Sequence, residues 1–233
     1  MKEAETAGAK KRNIIGYAKR YAFLLVGLCI MAFGVALSKK AELGASPISS
    51  IPFVLEPITG GALRIGMATT LVNAGIVLLQ VVILRGKFKW VNLLQIPVCA
   101  AFGYLCQFAE WCIAGIAVGS YGQQWLVCAA GIVLVAFGVS MEVTANVMTL
   151  AGEGLVLALC QVHPRVKFGT MKVLVDVSLV TVAVALSFLF LHGLYFKSVR
   201  EGTAAAALCV GLIARLFGTF MKPLGNRLFG AEK

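Results

Sequence analysis

The chain has 233 residues, 60% of them hydrophobic and 13% charged, with a mean hydropathy of +0.90. That balance excludes a soluble globular domain. Apolar runs long enough to cross a bilayer recur from end to end, the pattern of a multi-span membrane protein. The net charge of +11 does not indicate a nucleic-acid partner, because the lysines and arginines fall between the apolar runs, where they orient spans.

Residues 1–20 read as a basic tail, with Lys2, Lys10, Lys11, Arg12, Lys19 and Arg20, disordered except for the foot of the first helix. No cleavable signal peptide is expected, since no short apolar core is followed by a small-residue cleavage site. The first span covers residues 21–38, and Gly27 and Gly34 share one face of it, two turns apart. Small residues on one face let helix backbones approach closely. Lys39, Lys40 and Glu42 end the span. Ser46 and Pro47 then mark a helix start, a side-chain cap followed by proline at the first helical position. The run 47–58 closes at Gly60-Gly61 and is too short to cross a bilayer, so it is a re-entrant or interfacial half-helix. The second span covers 65–84 and carries Asn73; Arg85, Lys87 and Lys89 follow in a basic loop. The third covers 91–117, with a bend expected at Pro97 and with Gln95, Gln107 and Glu110 as its polar members.

The second half repeats this plan. Residues 27–51 align with 131–155 at a constant shift of 104, and six of those 25 positions are identical, Gly27/Gly131 and Gly34/Gly138 among them. The fourth span covers 125–141; a break over 142–151 leads to Gly152-Glu153-Gly154 and a short apolar run. At the same shift Glu153 falls on Ser49. The fifth span covers 169–191 and contains Lys172 and Asp176, which match Thr69 and Asn73 at a shift of 103. The sixth covers 203–220 and contains Arg215, and residues 221–233 form a tail.

With the N-terminus inside, fourteen basic residues fall on the inner side and five on the outer, Lys39, Lys40, Arg64, Lys197 and Arg200. That asymmetry favours cytoplasmic termini. Three spans per repeat is odd, so the halves lie upside down relative to each other. The expected fold is all-α: a polytopic membrane protein of six transmembrane helices in two inverted three-helix repeats, 21–117 and 125–220, each with a half-helix after its first span.

The strings LGASPISSIP, IGMATTLVN, LLQIPVCAAFGY, GEGLVLA, FGTMKVLVDVSLV and REGT resemble the YczE/YyaS/YitT family of bacterial integral membrane proteins, over about residues 21–220. Two positions depart from that pattern: Ala151, where relatives tend to have proline, and Gln107, where they often have aspartate. The resemblance implies a six-span protein of the bacterial cytoplasmic (inner) membrane. Some members are linked to export or production of secondary metabolites. The resemblance names no substrate.

Glu153, Lys172, Asp176 and Arg215 are the expensive residues. A charge at the bilayer centre costs at least ~2.5 kcal/mol, so such groups usually face a bundle interior and mark function. Lys172 and Asp176, four apart on one helix, form either a structural pair or a substrate or proton site. Arg215 either faces the interior or snorkels to headgroups. Glu153 either caps a loop helix or sits at a half-helix start facing solute. Ser46, Ser49, Ser50, Asn73 and Gln107 are neutral candidates, serving as ligands or as inter-helix glue.

The seven cysteines form no CxxC pair and the two histidines, His163 and His192, make no ligand pattern, so neither metal nor cofactor is expected. No hydrolase, zinc-protease or P-loop motif appears, and no enzyme activity is expected. The leading functional reading is a secondary transporter or exporter of a small polar or anionic solute, bound at the midplane between two interrupted segments. The alternatives are a substrate-capture membrane subunit of a vitamin importer working with an ATPase, and a passive channel. The partners expected are the lipid bilayer and a small-molecule solute, with a homodimer left open.

Overall fold

The computed structural model describes the backbone of residues 2–63, 65–196 and 198–229, and side chains within 16–229 except at positions 64, 65 and 197. Arg64, Lys197 and Lys233 lie outside the described residues, as do the side chains of Lys2, Lys10, Lys11 and Arg12.

All regular structure among the described residues is helical. The α-helices are α1 (Lys2–Lys40), α2 (Pro47–Ile58), α3 (Ile65–Leu84), α4 (Gln95–Cys112), α5 (Tyr121–Ala145), α6 (Ala151–Val162), α7 (Phe168–Leu191) and α8 (Glu201–Phe229). Six of them, all but α2 and α6, are long and apolar enough to cross a membrane. At about 1.5 Å per residue, the 12 residues of α2 or of α6 reach little more than half a hydrocarbon core of roughly 30 Å.

Local chemistry sets most of these ends. Pro47 opens α2 at its first position, and Gly60 and Gly61, both at positive φ, close it. Ser120 and Gln123 form a reciprocal capping box at the start of α5. Asn146 and His192 take the left-handed conformation that ends α5 and α7.

Four expectations need correction. The backbone is helical from Lys2, so the segment read as a disordered tail continues α1. Pro97 lies in the first turn of α4 rather than inside it, so its missing N–H breaks no bond within that helix. The third span stops at Cys112, five residues short of the expected 117. The fourth and sixth spans run on, to Ala145 and Phe229, because Glu142 and Pro223 lie inside helices rather than ending them.

Helices α1 and α5 form the central pair. A Cβ added at Gly34 would lie 2.8 Å from the Gly131 carbonyl oxygen, and one at Gly131 would lie 2.7 Å from that of Gly34. Likewise Gly27 faces Gly138, whose added Cβ would lie 2.7 Å from the Gly27 carbonyl oxygen. The contacts run in opposite directions along the two helices, so the helices are antiparallel. They also pair each glycine with the repeat counterpart of the other, the self-complementary pattern of a two-fold axis. That axis crosses an antiparallel transmembrane pair and therefore lies in the membrane plane, which is the inverted-repeat arrangement.

The short helices respect the same exchange: α2 packs on α7 and α3, α6 on α3 and α7. Because α1 and α5 are antiparallel, α2 and α6 leave them on opposite faces. Their first turns nevertheless touch, since a Cβ added at Gly152 would lie 2.6 Å from Ile48 Cδ1. The starts of the two short helices therefore meet at one level between the repeats.

Symmetry fails at one seam. Gly169 on α7 and Gly211 on α8 meet backbone to backbone, a Cβ added at either lying 2.5 Å from the other's carbonyl oxygen. Gly66, the counterpart of Gly169 on α3, and Gly103 on α4 would meet nothing within 4 Å. The second half is zipped where the first half stands open.

Candidate functional site

The first break is held by the loop before α8. Ala45 N–H donates to the Ser198 carbonyl at 3.0 Å, Thr203 Oγ1 donates to the Ala45 carbonyl at 2.7 Å, and Gly202 N–H donates to the Leu43 carbonyl at 2.9 Å. Gly44, at φ 105°, leaves no room for a side chain, because Thr203 Oγ1 and the Arg200 amide occupy that space. Irregular backbone at membrane depth must find partners within the protein, and this segment does. Ser46 occupies the cap position of α2, but its hydroxyl bonds to Ser49 Oγ at 2.9 Å instead of capping.

The second break is held from three sides. Leu150 N–H donates to Glu142 Oε1 at 2.6 Å, and Ala151 N–H to Cys99 Sγ at 3.4 Å. Gln80 Nε2 donates to the Ala151 carbonyl at 3.0 Å and, at the same distance, to Gln95 Oε1. The two buried amides fill the space where a Gly154 side chain would lie, so any side chain there must push them aside.

Past that break lies a buried ion cluster. Lys172 Nζ is 2.9 Å from Asp176 Oδ1 and 3.1 Å from Glu153 Oε1, and all three side chains are at most 8% exposed. The pair legible in the sequence is thus one side of a triad, and Lys172 joins α7 to the first turn of α6.

The triad lines a cavity of about 380 Å³, within the range of about 300–1,000 Å³ typical of small-molecule sites. Ser46, Ser49, Thr69 and Asn73 line it from the first repeat, and Glu153, Lys172 and Asp176 from the second. Thr69 and Asn73 are the repeat counterparts of Lys172 and Asp176, so equivalent positions face one space. The rest of the wall is largely apolar, with Met31, Val35, Phe53, Phe102 and Ile132, and includes Cys99, Cys106 and Cys128. Thr69, Val72 and Asn73 on α3 and Phe102, Gly103 and Cys106 on α4 border the seam that has no glycine contact. The cavity extends to the C-terminal end of α1, where Lys39 Nζ lies 2.7 and 2.8 Å from the two Glu110 carboxylate oxygens.

Six of the nine candidate residues therefore meet at one cavity: Ser46, Ser49, Asn73, Glu153, Lys172 and Asp176. Three do not. Ser50 is fully buried; its hydroxyl donates to the Pro47 carbonyl and its own carbonyl accepts from Ser198 Oγ, which makes it a joint between α2 and the loop before α8. Gln107 is exposed on the outer face of α4. Arg215 is exposed at the middle of α8, away from the cavity, with its stem against Gly169. Glu142 was read as the start of a break, yet it is wholly buried inside α5 beside the triad. One signal pointed to it: at the 104-residue shift it falls on Ser38, a cavity-lining residue.

Six apolar spans around a cavity with charged walls define a multi-pass helical membrane protein. The chain belongs to a family of unknown function (DUF6198), whose model matches residues 18–219. That match takes in both repeats and every cavity residue named above. No curated protein and no solved structure matches the chain.

Proposed function

We propose that this protein is a secondary transporter or exporter of a small solute in a bacterial cytoplasmic membrane, with both termini cytoplasmic. The observation that carries the reading is the contact of Ile48 with Gly152 beside a cavity whose polar groups come from both inverted repeats. Interrupted helices meeting near the midplane are how alternating-access transporters build a site that two halves can close from either side. The YczE/YyaS/YitT resemblance, with its link to metabolite export, supports the same reading. The solute that suits this wall has an apolar body and a polar head. Lys172 is already held by two carboxylates, so a purely anionic solute would have to displace one of them. With cytoplasmic termini, the Lys39–Glu110 pair lies at the outer mouth of the cavity.

The test begins with native mass spectrometry of the purified protein to find what it retains, followed by flux of that compound in proteoliposomes. Accumulation against its own gradient, driven by an imposed ion gradient, is expected. Equilibration without accumulation identifies a channel, and an absolute need for a co-purified ATPase identifies a capture subunit. Either result overturns the transporter reading.

A further inference from the structure

Three carboxylates, Glu142, Glu153 and Asp176, surround a single ammonium, Lys172. Lys172 touches two of them, Asp176 and Glu153. Glu142 touches neither Lys172 nor any other cation among the described residues, although it lies within electrostatic range of both Glu153 and Lys172. Its side chain is 0% exposed. Oε1 accepts the Leu150 N–H, while Oε2 is buried with no hydrogen-bond partner.

The groups around it explain why this matters. From α6 it faces Glu153, from α7 Lys172, and from α4 the Cys99 thiol. On α1 and α8, the helices packed along α5, the charged groups near this end are Arg20 and Lys222. They line a separate small cavity past Val143 with Thr144 and Asn146, and Arg20 donates to the Ala145 carbonyl. A second unpaired carboxylate beside a triad that already carries one excess negative charge is strongly disfavoured away from water. A proton on Oε2 removes that charge and leaves Oε1 free to accept from Leu150.

We propose that Glu142 is a buried proton-binding site and that its proton is the coupling ion of the cavity. The proton leaves Oε2 for the Glu153 carboxylate. Glu153 becomes a neutral acid, Glu142 becomes the anion, and Lys172 keeps Asp176 as its charged partner, so the number of protons and charges in the group is unchanged. The move loosens the contact between α6 and α7. It also ties proton occupancy to the second break, because Glu142 holds the Leu150 amide at the entry to α6. A cap alone needs only a carbonyl acceptor, which glutamine supplies equally well. The acid adds an exchangeable proton.

The test is infrared spectroscopy of the full-length protein in lipid at neutral pH, reading the carboxylic-acid C=O stretch. Wild type should show one protonated carboxyl that moves on 13C labelling of glutamate but not of aspartate. The band should vanish in Glu142→Gln and persist in Asp176→Asn. If Glu142→Gln does not insert, Glu142→Asp in glutamate-labelled protein should transfer the band to the unlabelled set. Absence of any such band in wild type, or its persistence in Glu142→Gln, overturns the proposal. Exchange of this proton for solute rests on the transporter reading, whereas the presence of the proton does not. A protein with the band but no flux fails the transporter reading, and one with flux but no band fails this proposal.

Discussion

Ile48, in the first turn of α2, packs against Gly152, in the first turn of α6. The contact joins the starts of the two short helices, so it marks the level at which the repeats meet. Substitution at Gly152 should be felt there. Gly152→Val is expected to destabilise by about 1–3 kcal/mol through overpacking. Because the atom in the way is the far end of a flexible side chain, Ile48→Ala should recover most of that loss. Thermal melts in detergent of the two single variants and the double variant give the coupling directly.

The α1–α5 seam should tolerate less. An alanine at Gly34 would bring its Cβ within 2.9 Å of three Val135 and Gly131 atoms, two of which are backbone. Gly34→Ala is therefore expected to lower stability by roughly 1–3 kcal/mol, with no rescue from Val135→Ala. Gly66→Ala, at the open seam, should melt like wild type.

The triad makes a prediction that a simple Lys172–Asp176 pair does not. A lone pair would leave Lys172 uncompensated in Asp176→Asn, at a cost of about 3–5 kcal/mol. With Glu153 at 3.1 Å, Lys172 keeps an anionic partner, so Asp176→Asn should lose clearly less. Lys172→Met, which strands two carboxylates, should be the most damaging single change in the cluster. Equal losses for Asp176→Asn and Lys172→Met in thermal melts would return Glu153 to a bystander role.

The Lys39–Glu110 pair predicts a split between stability and access. Both groups are partly exposed, so Glu110→Gln should change stability by about 1 kcal/mol or less. It should nonetheless raise the rate at which a cysteine at Ser49 reacts with a water-soluble thiol reagent, because it unties α1 from α4 at the cavity mouth. An unchanged rate would mean that the pair does not gate the cavity.

Much of this arrangement is legible in the sequence. The bounds of α2 follow from Ser46-Pro47 and Gly60-Gly61, because proline and glycine start or stop helices by their own backbone chemistry, and α3 ends at the charge boundary of Arg85. The repeat also placed Thr69 and Asn73 opposite Lys172 and Asp176. Legibility ended where a residue's meaning depends on its neighbours. Glu142 looked like the end of an apolar run, since hydropathy treats any charge as a boundary; only the fold shows its carboxylate turned to the Leu150 amide. Gln107 and Arg215 are polar residues in apolar spans whether they face the cavity or the surroundings, and in the fold both are exposed outside it. The end of α5 is set short for the same reason, at Glu142.

The proposed function requires a water-accessible cavity built at the midplane by both repeats. Thiol labelling in a cysteine-free background tests it most directly, with single cysteines at Ser46, Ser49, Asn73, Ser50 and Gln107 and a small hydrophilic reagent applied to protein in lipid. Cysteines at Ser46, Ser49 and Asn73 should react, because those residues line the cavity. Those at Ser50, sealed against Ser198, and at Gln107, on the outer face of α4, should stay protected. Protection of the first three, or reaction at Gln107 as fast as at Ser49, would contradict the account.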